Sequence, residues 1–141
     1  MNGGAHVLLV EDNPNDIELT LHAFRASRIS NEIKVLRDGV EALAYLFGDG
    51  GEAAELQVIL LDLKLPKIDG LEVLKQVRAH DATQLIPVVV LTTSSAEEDI
   101  LRSYDLHANA YVTKPVDFDR FVAVIQQIDD FFISVVRLPG S

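Results

Sequence analysis

The stretch "VILLDLKLPKIDG" (residues 58–70) sets the problem that the chain poses. Val58, Ile59, Leu60 and Leu61 read as the inside of a buried strand, because strands covered on both faces run as near-continuous aliphatic residues. Asp62 then puts a carboxylate where the strand ends, ahead of Pro66 and an Asp69-Gly70 pair that predicts a turn and a helix N-cap. A buried charge costs free energy unless something pairs with it. Asp62 therefore calls for partners elsewhere in the sequence.

Similar aliphatic runs recur along the chain. "HVLLV" (6–10), "EIKVL" (32–36), "LQVILL" (56–61), "IPVVVL" (86–91) and "AYVT" (110–113) predict five strands. Helical periodicity fills the intervals at about 14–27, 39–47, 70–79, 96–106 and 117–136. Asn13-Pro14 suits a cap followed by proline at the first helical position, and Ser95 to Glu98 reads as a capping box. "GDGGEAAE" (48–55) has no period and is expected to be a flexible loop. Strands alternating with helices predict an α/β fold on a parallel sheet. One domain is expected over 1–141, with its core at about 5–136 and no output domain.

Composition narrows the function. A net charge of −10 argues against a general grip on nucleic acid or an anionic membrane. The absence of cysteine removes disulfides, thiolate metal sites and a Cys nucleophile. The longest aliphatic run, Leu85 to Leu91, contains Pro87 and is far shorter than the roughly 20 residues of a membrane span. A soluble, cytoplasmic protein is expected.

In an open parallel sheet, sites form outside the carboxyl ends of the strands. The first strand delivers Glu11 and Asp12 to that rim, the third Asp62, the fourth Thr92, and the fifth Lys114. Three clustered carboxylates repel one another, and a hard divalent cation such as Mg2+ relieves that repulsion. An ammonium and a hydroxyl beside an isolated carboxylate are what phosphoryl transfer to that carboxylate needs. The expected product is an aspartyl phosphate on Asp62.

Taken together, "LLVEDNPND", "ILLDLKLPKIDG", "VVVLTTS" and "AYVTKP" resemble the receiver domain of two-component response regulators, over nearly the whole chain. The resemblance implies a (βα)5 flavodoxin-like (CheY-like), doubly wound sheet of order 2-1-3-4-5. It also implies phosphorelay signalling, with a partner histidine kinase as donor and Asp62 as phosphoacceptor. Glu11, Asp12, Asp62 and the backbone carbonyl of Lys64 match the metal ligands, for Mg2+ with Mn2+ or Ca2+ as substitutes. Thr92 matches the switch hydroxyl, Lys114 the phosphate-binding lysine, Tyr111 the aromatic switch, and Pro115 a position where a cis bond is common. "DLKLPK", the 48–55 insertion and "IDDFFISVVRLP" resemble the stand-alone regulators that pair with bacterial phytochrome kinases. Thr93 departs from the small residue frequent at its position, and Lys64 and Ser94 stand where phosphoryl lifetime is tuned.

Each residue also has an ordinary reading: Asp62 as a turn residue, Glu11-Asp12 as a helix precap, Thr92 as strand filler, Tyr111 as a half-buried strand aromatic. Four strand ends gathering these groups by chance is the weaker account. A receiver-like interaction module that is never phosphorylated is the alternative. A phosphohydrolase is disfavoured because Lys64 stands two residues after Asp62, where such enzymes often carry a second Asp. In the last helix, apolar residues cover an arc of roughly 200°, wider than packing on a sheet requires. Phe121, Val124, Ile128, Phe131, Phe132 and Val135 are therefore expected to form a partner surface, read as a homodimer face.

Overall fold

A computed structural model describes residues 6–26, 32–48, 56–93, 96–114 and 117–128. Its elements are β1 (Val7–Val10), α1 (Pro14–Ala26), β2 (Ile33–Leu36), α2 (Gly39–Phe47), β3 (Val58–Leu61), α3 (Gly70–Ala79), β4 (Val88–Thr92), α4 (Glu97–Asp105), β5 (Ala110–Thr113) and α5 (Phe118–Ile128). The strands pair in parallel in the order β2-β1-β3-β4-β5, as the resemblance implies.

Because side chains alternate across a strand, each central strand feeds two cores. Leu8, Val10, Ile59, Leu61, Val88 and Val90 join Leu71, Leu74 and Val77 of α3 on one face. Val7, Leu9, Val58, Leu60, Val89 and Leu91 join Phe24 of α1 and Phe121, Ile125 and Ile128 of α5 on the other. Burial on both faces is why these strands carry no polar alternation. Truncating a fully buried residue such as Ile59 to alanine would cost about 2–5 kcal/mol.

The helix starts follow from local chemistry. Asn13 Oδ1 accepts from the N–H groups of Asn15 (2.8 Å) and Asp16 (3.1 Å), and Pro14 opens α1. Asp69 Oδ1 accepts from Glu72 N (3.0 Å) to cap α3. Asp38 caps α2 in the same way, through Glu41 N at 2.8 Å. The capping box expected for α4 falls partly outside the described residues. Glu97 is the first helical residue and Ala96 stands at the cap, without a side-chain bond; Ser95 lies outside the described residues.

The partner surface expected on the last helix needs correcting. Phe121 and Ile128 are 2% and 4% exposed and belong to the core, because α5 lies with α1 over the sheet. Val124 is half-buried against the same core. The wide apolar arc of the described part of α5 is thus largely consumed by its own chain. Phe131, Phe132 and Val135 lie outside the described residues, as do Ser94, Pro115 and most of the 48–55 loop. No described helix is long and apolar enough to cross a membrane.

Candidate functional site at the carboxyl rim of the sheet

Each principal group sits one residue beyond its strand and is held there by the strand beside it. Glu11 N donates to Leu36 O (2.9 Å), Asp62 N to Val10 O (3.0 Å) and Lys114 N to Thr92 O (2.6 Å). The ladder therefore carries past the strand ends and fixes three reactive side chains on the rim. Asp62, Glu11 and Lys114 are 6%, 3% and 7% exposed, so their charges must find one another rather than water.

They do. Lys114 Nζ lies 2.5 Å from Glu11 Oε1, 2.8 Å from Asp16 Oδ2 and 3.5 Å from Asp62 Oδ2. The other oxygen of Asp62, Oδ1, accepts from Lys64 N at 3.1 Å. Asn13 N donates to Glu11 Oε2 at 3.3 Å, tying the acidic pair to the cap of α1. Thr92, the last residue of β4, is fully buried, whereas Thr93 is exposed. Tyr111 is half-buried and packs on the α3 side of the sheet.

The electrostatics leave a surplus of negative charge. Burial pushes the Glu11 carboxyl up to about 7, and Asp62 adds to this while Lys114 opposes it. Burial works against the Lys114 ammonium, but its bonds to Asp16 and Glu11 and the charge of Asp62 outweigh that, so its pKa is raised. Glu11, Asp12 and Asp62 present ligand oxygens that all lie within 4.8 Å of one another, Asp12 from the exposed side. An all-oxygen, carboxylate-rich donor set suits a hard divalent ion that keeps several waters. The residues fit Mg2+ or Mn2+.

The sequence reading brought Glu11, Asp12, Asp62, Thr92 and Lys114 to one rim, and the chain places them there. It missed Asp16, whose signal was faint: an acid in a first helical turn ordinarily just complements the dipole. It also gave Gly70 too little. A Cβ at Gly70 would lie 2.3 Å from Asp62 O and 2.6 Å from Leu63 Cα, so only glycine lets α3 begin against the backbone of Asp62. Gly39 is similarly pressed, with Ile68 O 2.0 Å from its would-be Cβ. Beside it Lys67, at φ 70°, reaches Asp38 at 3.3 Å, and the N–H of Glu41 holds that carboxylate below its ordinary pKa against its burial.

Comparison with known proteins agrees with this geometry. Residues 7–126 match the response regulator receiver domain. The chain is 41% identical over 135 residues to the probable methanogenesis regulatory protein FilR2 of Methanothrix harundinacea (strain 6Ac), covering 95% of this chain and 87% of that one. It is 41% identical over 137 residues to the response regulator Rcp1 of Synechocystis sp. (strain ATCC 27184 / PCC 6803 / Kazusa), covering 96% and 93%. The Mn2+-bound form of Rcp1 superposes with a TM-score of 0.83 at 40% identity, covering 96% and 99%. The phosphorylated cyanobacterial phytochrome response regulator RcpA superposes with a TM-score of 0.84 at 42% identity, covering 98% and 100%.

Proposed function

The chain belongs to the response regulator receiver domain family, and from that premise we propose that Asp62 accepts a phosphoryl group from a partner histidine kinase. One observation carries the assignment. The buried Asp62 carboxylate has one oxygen fixed by Lys64 N and the other facing the Lys114 ammonium, within a cluster fit for a divalent ion.

An Asp62 oxygen attacks phosphorus, an O–P bond forms, and the donor's P–N bond breaks with its electron pair leaving on the imidazole. Asp62 attacks as a carboxylate and has no proton to lose. Mg2+ held by Glu11, Asp12 and Asp62, with the Lys64 carbonyl as a further ligand, would neutralise charge on the phosphoryl oxygens. Lys114 supplies an ammonium to those oxygens and Thr92 a hydroxyl. Glu11 holds the Lys114 ammonium close to Asp62 beforehand. The protein then catalyses no more than its own phosphorylation and dephosphorylation. The new charge draws Thr92 inward and Tyr111 with it, shifting the population of conformers on the α4–β5–α5 face.

Incubation with acetyl phosphate and Mg2+ should place acid-labile phosphate on the wild-type chain and none on Asp62→Asn, with equal melting temperatures. Label on Asp62→Asn would overturn the acceptor assignment. No label on the wild type would favour the interaction module instead.

Pairing with a bacterial phytochrome kinase is supported by the likeness to RcpA and is tested by ranking initial phosphotransfer rates among candidate kinases. A homodimer rests on the apolar residues 131, 132 and 135 of the sequence. Phe131→Asp with Phe132→Asp should halve the hydrodynamic mass, and an unchanged mass refutes that face.

A further inference from the structure

Asp16 is used neither as acceptor nor in the metal set, yet it holds the lysine that the chemistry needs. We propose that Asp16 is a positioning residue that competes with the phosphoryl group for the Lys114 ammonium, keeping it on the α1 side of the site until Asp62 is phosphorylated. The inference rests on the phosphorelay reading above and adds a residue to it.

The distances carry the argument. In the resting chain Lys114 Nζ donates to Glu11 and Asp16, while Asp62 Oδ2 lies farther off at 3.5 Å. The main chain of Asp16 is fixed, so its short side chain can follow the ammonium only over a limited distance. Its N–H is tied to Asn13 Oδ1 (3.1 Å) and its carbonyl accepts from Thr20 Oγ1 (2.8 Å), in the first turn of a capped helix. The lysine stem is not close-packed on the α1 side. A cavity of about 40 Å3 lies beside it, bounded by Asp16, Leu19, Thr20, Leu91 and Phe121.

When the Asp62 O–P bond forms and the donor bond breaks, the site gains about one further negative charge and new acceptor oxygens. These pull Lys114 from Asp16. A fixed anion at position 16 opposes that pull twice, by holding the ammonium and by repelling the phosphoryl oxygens. Releasing a partly exposed ion pair corresponds to about fivefold in an equilibrium constant.

The full chain serves for the test. Initial labelling by acetyl phosphate at saturating Mg2+ and calorimetric titration with beryllium trifluoride, a phosphoryl mimic, are measured alongside Mg2+ affinity and thermal melting. Asp16→Asn should label about fivefold faster and bind the mimic about fivefold tighter, with Mg2+ binding unchanged or weaker. Asp16→Glu should return both values to within about twofold of wild type. A purely structural role would lower labelling and mimic binding together with the melting temperature. Should Asp16→Asn melt early, Asp16→Ser also removes the charge and should move both readouts in the same direction. Labelling and mimic affinity that stay level or fall, in a variant that melts like wild type, overturn the proposal. If the wild type takes neither label nor mimic, the phosphorelay reading falls and this falls with it. If the wild type labels and the variants match it, the role of Asp16 alone is refuted.

Discussion

α3 and α4 are neighbours of nearly equal length, and the chain attaches them very differently. α3 buries Gly70, Leu71, Val73, Leu74 and Val77, is capped by Asp69, and begins pressed against the backbone of Asp62. α4 buries only Ser103. The hydroxyl of Ser103 has no hydrogen-bond partner among the described residues, Ala96 offers no side-chain cap, and Leu101 and Tyr104 remain 57% and 48% exposed. The ion pair from α4 to the rim, Asp99 to Lys64, is 3.9 Å long and largely exposed on the lysine side, the kind worth little. The helix behind the nucleophile is fastened, whereas the helix on the proposed output face is cheap to move. Under the proposed switch, the charge placed on Asp62 would shift α4 more readily than α3.

That contrast can be broken most directly at Gly70. Gly70→Ala forces a methyl into the main chain of Asp62 and should cost about 3 kcal/mol or more, read by chemical denaturation, with phosphorylation lost in parallel. A variant as stable and as active as wild type would show that α3 is not fastened there.

The fastened side also has a pH signature. The Glu11 carboxyl of the metal-free chain is raised to about 7 from 4.5, so between those values the folded state holds a proton that the unfolded state has lost. Its stabilising contribution is complete below about 4.5 and fades as pH rises toward 7, on the order of 2 kcal/mol after allowing for its neighbours. Melting with chelator should therefore decline from pH 5 to 7 more steeply in wild type than in Glu11→Gln, and Mg2+ should recover it. Parallel curves for the two proteins would contradict the buried carboxyl.

The smallest expected effect sharpens the comparison from the other side. Ser103→Ala removes a buried hydroxyl that has no partner among the described residues and should raise stability by about 1 kcal/mol. It should also damp the phosphorylation-dependent change in hydrogen exchange over α4. A loss of stability would mean that the hydroxyl is satisfied in solution.

Aliphatic runs and helical period were enough to locate all ten elements to within two residues over the described chain, because burial on both faces leaves so plain a pattern. Glu11, Asp62 and Lys114 were readable as a group because the parallel topology delivers strand ends to a common rim. Asp16 was not, since periodicity gives the face of a helix but not how far a side chain reaches back toward a strand. Phe121 and Ile128 were misassigned for a related reason: the width of an apolar arc does not say how much of it the sheet and α1 will cover. Gly70 and Gly39 were opaque because what crowds a glycine comes from segments distant in sequence or hidden in a turn.

The three main-chain bonds that continue the ladder past β1, β3 and β5 have a consequence for design tolerance. Glu11 and Lys114 meet across 103 positions of sequence. Their alignment nevertheless depends on one hydrogen bond from each to the adjoining strand, as does that of Asp62. Errors of length therefore do not accumulate along the chain. Loops between the strands can grow, shrink or change sequence while the reactive atoms stay in register, in the way that holes drilled from a common edge stay aligned whatever lies between them.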